Sequence, residues 1–123
     1  MYKFERLEVW RLALEYDDVM FRIAAALPLE ERFDLAAQIR SASRSIAANI
    51  AEGSTTQTAK EQARFLGLAI PSFIETVACL RLVERRRYPL SDEDRAEAEQ
   101  RGAKLFAKLQ AFRRAVLKTG TTR

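Results

Sequence analysis

Apolar residues recur every three or four positions through almost the whole chain, and only three short breaks interrupt them. The breaks are Leu27-Pro28, the polar run at 54–58, and Tyr88-Pro89. Spacing of three and four puts side chains on one face of an α-helix. With 4 Gly and 3 Pro in 123 residues there is little turn material, which argues against many short strands. The expected fold is all-α: an antiparallel up-down-up-down bundle of four helices joined by short loops. Its length fits one domain over 1–123, with a flexible tail from about 119.

The first helix is expected over about 4–26 and carries two apolar stripes. Leu7, Trp10, Leu14 and Phe21 lie on one side; Val9, Leu12, Tyr16, Val19, Met20, Ile23 and Leu27 lie on the other. A single core needs only one stripe, so the second asks for a partner subunit. The second helix is expected from Glu30 or Glu31 to Glu52, with Leu35, Ile39, Ala42, Ile46 and Ile50 inward and Gly53 as its C′ residue. The third, over about 59–87, is apolar over most of its surface, and Pro71 predicts a kink near Gly67. The fourth, over about 92–117, starts at a Ser91/Asp94 capping box and ends before Gly120. Its apolar face is Leu105, Phe106, Leu109, Phe112, Val116 and Leu117.

Charge is divided unevenly along the chain. Residues 1–53 hold 7 basic and 9 acidic groups, whereas 54–123 hold 14 and 8. From Gln100 onward there are seven basic residues and no acid. A basic half can meet phosphate or an acidic protein, or simply keep the surface solvated. The candidate nucleic-acid-binding residues are Arg85, Arg86 and Arg87 at the end of helix three, with Arg101, Lys104, Lys108, Arg114 and Lys118 on helix four. No base-reading motif accompanies them, so only backbone contact is expected.

Catalytic chemistry has little to work with. The chain has no histidine and one cysteine, Cys79, which excludes imidazole-based catalysis and the usual zinc sites. No phosphate-binding glycine loop is present. The expectation is no enzyme, no cofactor and no metal. The lone cysteine fits a reducing compartment, and no stretch reaches about 18 consecutive apolar residues, so a cytoplasmic protein with no membrane span is expected.

The segment at 38–53, QIRSASRSIAANIAEG, sets Asn49 and Glu52 in a last helical turn. An acid at a helix C-terminus is unfavourable by about 0.3–1 kcal/mol without compensation. Arg40 or Arg44, from another helix or subunit, are the candidate counter-charges. Asp17 and Arg113, which fall beside apolar stripes, are candidate partners across an interface.

These residues resemble the bacterial four-helix-bundle family encoded by intervening sequences in 23S ribosomal RNA genes, which is similar to the accessory protein of diversity-generating retroelements. The opening F-x-x-L-x-V-W-x-x-A pattern meets Phe4, Leu7, Val9, Trp10 and Ala13. The central pattern meets Gln38, Arg40, Ser45, Asn49, Glu52 and Gly53, with Ile39, Ala42, Ile46, Ala48, Ile50 and Ala51 between them. A third meets Phe65, Leu66, Ala69, Ser72 and Glu75. Pro71 stands where the family usually has glycine, and Arg87-Tyr88 where Gly-Tyr is usual. The resemblance implies a homopentameric ring without enzymatic activity. For the retroelement relatives it implies a basic surface that binds RNA or DNA and a reverse transcriptase. The alternative is a structural or protein-interaction module without a nucleic-acid role.

Overall fold

The computed structural model describes residues 1–121, and it is an all-α bundle of four helices. They are α1 (Glu8–Ala25), α2 (Leu35–Gly53), α3 (Ala59–Arg85) and α4 (Asp92–Thr121). Short 3-10 turns at Lys3–Arg6 and Leu29–Glu31 precede α1 and α2. Neighbours in sequence pack together, and α1 also packs on α4, so the four form a closed square with α1 and α3 on one diagonal. The core is continuous from end to end.

Local chemistry sets the boundaries. Thr58 Oγ1 accepts the Glu61 N–H at 3.1 Å and starts α3; Ser91 Oγ accepts the Asp94 N–H at 3.0 Å and starts α4. Helix α2 begins later than the expected Glu30 or Glu31, because Glu31 is used otherwise. Its carboxylate accepts the Leu35 N–H at 3.2 Å and the Tyr88 hydroxyl at 2.6 Å, capping α2 from outside and fastening the α3–α4 corner to it. Those bonds, Tyr88 first, hold the Glu31 carboxyl below the usual carboxylate range, and Arg86 helps. A lowered carboxyl gives stability that is complete above its unfolded pKa and lost as pH falls through its folded one. Glu31→Gln should therefore lower the melting temperature at about pH 7, with the difference from the parent chain vanishing near about pH 2. Thermal unfolding at the two pH values checks this.

Gly53 is not a left-handed C′ residue. It is the last helical residue of α2, and no glycine among the described residues has positive φ. Its role is close approach: a Cβ there would lie 3.0 Å from Phe65 Cβ on α3. Three hydroxyls close the helix instead. Ser54 donates to the Ala51 carbonyl, Thr55 to that of Glu52 and Thr56 to that of Gly53, at 2.7, 2.7 and 2.8 Å. These donors sit at the negative pole that Glu52 would otherwise meet unaided.

Helix α3 passes through Pro71 as one element and ends at Arg85, two residues short of the expected Arg87. The chain then turns at Arg87, whose φ is 55°. The Tyr88 N–H reaches the Val83 carbonyl and the Arg87 N–H that of Glu84, both at 3.1 Å, which is a Schellman closure with Arg87 in the left-handed position. A side chain there costs about 1 kcal/mol or more. Arg87→Gly should thus raise the melting temperature by a few degrees, and an unchanged or lower value in a thermal scan would contradict it. Helix α4 runs past Gly120 to Thr121, beyond the expected end at Leu117, and a Cβ on Gly120 would lie 3.1 Å from Ala59 Cβ. The remainder of the tail expected to be flexible lies outside the described residues.

The core follows the periodicity. The Val9–Leu12–Tyr16–Val19–Met20–Ile23–Leu27 stripe is buried, as are Leu35, Ile39, Ala42, Ile46 and Ile50. On α4, Leu105, Leu109 and Val116 are buried, while Leu117 is exposed. One polar contact crosses the middle. Thr76 donates to the Phe73 carbonyl at 2.6 Å, leaving its oxygen to accept from Tyr16 at 2.7 Å. Burial pushes the Tyr16 pKa up to about 12 against the opposing effect of that hydrogen bond. Gly102 on α4 faces the two rings: a Cβ there would lie 3.1 Å from Tyr16 and 3.3 Å from Phe73.

Two apolar strips remain outside. The second stripe of α1 is partly covered where Phe4 meets Trp10 edge-on at 4.9 Å, but Leu14 and Phe21 are 38% and 61% exposed. On α3, Leu68, Ile74 and Leu82 are exposed. Helix α3 has a window of mean hydropathy 1.7, long and apolar enough by composition to cross a membrane, although it was expected to hold no such span. Only 39% of that window is buried within the chain.

Candidate nucleic-acid interface

The expected basic residues do not form one patch. Arg85, Arg86 and Arg87 sit at the α3–α4 corner, all exposed. Arg114 lies 22 residues along α4 from Asp92, about 33 Å away at 1.5 Å per residue. The two groups are therefore at opposite ends of the bundle.

Ion pairs take up part of the α4 set. Arg101 Nε reaches Glu97 at 2.8 Å and Arg101 Nη1 reaches Glu15 at 3.4 Å; Lys108 Nζ reaches Glu8 at 3.3 Å. Arg22 completes the series, with Asp94 at 3.3 Å and Glu97 at 2.7 Å. These pairs stitch α1 to α4. The Arg101 hydrogen bond, with Arg22 adding, holds the Glu97 carboxyl below its usual range. All are solvent-accessible, so each contributes little to stability. Lys104 and Arg114 are exposed on the outer side of α4 and make no ion pair among the described residues. Lys118 is exposed on the same helix.

The residues of the 38–53 segment serve the α2–α3 contact. Asn49 Nδ2 donates to the Ser45 carbonyl at 2.9 Å and to Ser45 Oγ at 3.2 Å. Ser45 Oγ in turn meets Ser72 Oγ on α3 at 3.0 Å. Gln38 and Glu52 are exposed. Arg40 and Arg44 are not counter-charges to Glu52 within the chain. Arg40 donates to the Arg32 carbonyl and Arg44 to that of Arg40, each at 3.3 Å. Arg40 also lies twelve residues before Glu52, about 18 Å along the axis. Arg113 crosses to α3 and donates to the Ala63 carbonyl at 3.0 Å, so it has an intrachain partner, while Asp17 has none among the described residues.

An apolar cleft of about 310 Å³ opens between the start of α1 and α4. Leu7, Val9, Ala111 and Phe112 line it, with Glu8 and Lys108 beside them. Sequence reasoning did not single out this cleft, because it depends on which face of α4 meets α1.

Four long helices around one continuous core, charged where α1 meets α4 and apolar on the outer sides of α1 and α3, define a four-helix-bundle protein. The family model for the 23S rRNA-intervening sequence protein matches residues 5–111, and the chain belongs to that family. Arg114 and Lys118 fall beyond the matched part. No curated protein matches the chain.

Proposed function

We propose that this chain is a non-enzymatic building block that assembles into a closed ring of identical copies, a pentamer by family resemblance. In this reading the ring offers a basic belt to the backbone of RNA or DNA. The observation that carries the assembly is the pair of exposed apolar strips on the diagonal helices α1 and α3. Being diagonal, they face opposite ways, so contact between them is head-to-tail and extends from copy to copy. The Tyr16–Thr76 bond brings α1 and α3 into register near this level. Leu14 and Ile74 each precede that level by two residues, and Phe21 and Leu82 follow it by five and six. Counted from that bond, the two strips keep the same order and spacing along their helices to within one residue. A contact without axial offset favours a closed ring over a rising filament.

Such a ring repeats the outer side of α4 once per copy. Lys104 and Arg114, modest in one chain, become a belt of charge. Backbone binding of this kind weakens linearly in log–log with salt, by about 0.7–0.9 per phosphate neutralised. The double charge reversal Lys104→Glu with Arg114→Glu should weaken binding at low salt by more than about tenfold and flatten the salt slope. Filter binding with mixed-sequence RNA and DNA tests this. No binding by the parent chain at low salt, or no effect of the reversals, would refute the nucleic-acid reading.

The ion pairs of Arg101 and Lys108 favour a second reading, an assembly module that docks a protein and carries charge for solubility. Pull-down from a nuclease-treated lysate separates the two: retained partners favour docking, and loss of every partner favours nucleic acid.

A further inference from the structure

The corner between α1 and α2 holds a cleft of about 230 Å³ unrelated to the basic side of α4. Its floor is apolar, made by Ala24, Leu27, Pro28 and Ala36, and two guanidiniums, Arg32 and Arg40, border it. Among the described residues neither arginine has a carboxylate partner. Arg32 lies over the Phe33 ring at 5.2 Å, and Arg40 donates to the Arg32 carbonyl. Arg40 is half-buried, so its charge has lost part of its hydration without gaining a counter-ion. The nearby Glu31 is committed to Tyr88 and Leu35. Leu29, also lining the cleft, is 80% exposed, and Phe33 beside it is 87% exposed.

The geometry points to this cleft as a docking site for an acidic, apolar peptide segment of a partner protein. One carboxylate would bridge Arg32 and Arg40, and adjacent apolar side chains would cover Leu29 and Phe33. Charge complementarity selects the anion, because two unmatched guanidiniums favour a carboxylate or phosphate. The apolar floor and the two exposed side chains select a peptide over a phosphodiester, whose charged backbone leaves such surface uncovered.

The test follows the arginine Nε–H signals of the full isotope-labelled chain by NMR during titration with an acetylated Asp-Leu-Asp-Leu amide. The Arg32 and Arg40 signals should shift and saturate, and an acetylated Ser-Leu-Ser-Leu amide should not produce this. Arg40→Gln should weaken the acidic peptide by about tenfold or more. Equal binding of the two peptides, or no saturating shift at millimolar peptide, overturns the inference. So does saturation of the same signals by an oligouridylate at lower concentration, which would make the occupant a phosphate. A lower mass by light scattering for Arg40→Gln would assign the cleft to a second copy and overturn it as well. None of these outcomes depends on Lys104 or Arg114, so failure here is distinguishable from failure of the nucleic-acid reading.

Discussion

Phe21→Glu is expected to turn the proposed assembly into monomers at micromolar concentration while leaving the bundle folded. Phe21 is 61% exposed in the single chain, so a polar replacement should change monomer stability by less than about 0.5 kcal/mol. At a contact between copies the same side chain would be covered. Burying a phenylalanine is worth about 1.5–3 kcal/mol, and an unpaired carboxylate in its place costs more. At about 3 kcal/mol, each contact weakens roughly a hundredfold, and a closed ring loses every contact together. Far-UV circular dichroism should keep its helical signal, and light scattering should report one chain. A variant that keeps the parent mass would remove α1 from the interface.

Gly102→Val is expected to destabilise the core strongly. A glycine inside a helix costs about 1 kcal/mol relative to alanine, so its retention needs a packing reason. That reason is the 3.1 Å and 3.3 Å approach of Tyr16 and Phe73 to the place a Cβ would occupy. Neither ring yields easily. Tyr16 is fully buried and tied to Thr76, and Phe73 stacks on Phe106 with centroids 5.3 Å apart. Two further methyl groups would break that bond or separate α4 from α1, at a cost of about 3 kcal/mol. The melting temperature should fall by about 10 °C, and a rise would show that the rings can shift freely.

The parts of the fold legible in the sequence were those governed by local repetition. Ile39, Ile46 and Ile50 fall inward because one helical face meets one core, and Ser91 caps because its hydroxyl reaches the N–H three residues on. What stayed hidden depends on neighbours far along the chain. Gly53 before a polar run reads as a helix stop, and only the position of Phe65 makes it a contact residue. Glu31 reads as part of a helical first turn until Tyr88, 57 residues away, claims it.

The basic surface was only partly legible. Lys108 looked available because Glu8 lies on another helix, and Arg101 because Glu97, four residues before it on α4, falls just outside the acid-free stretch. The signal was present in the spacing: Glu8 and Glu15 are seven apart, as are Arg101 and Lys108, in the opposite order that antiparallel helices require. Lys104 and Arg114 fall outside that ladder, and the proposed backbone contact rests on them. The cleft at Arg40 was missed because its walls come from a corner whose path sequence periodicity does not fix.

Light scattering of the unmodified chain at micromolar concentration tests the central claim most directly. The expected mass is at least twice 14.0 kDa, and fivefold by family resemblance. A mass of one chain would contradict it, because the strips on α1 and α3 would then be exposed without a partner and the belt of charge would never form.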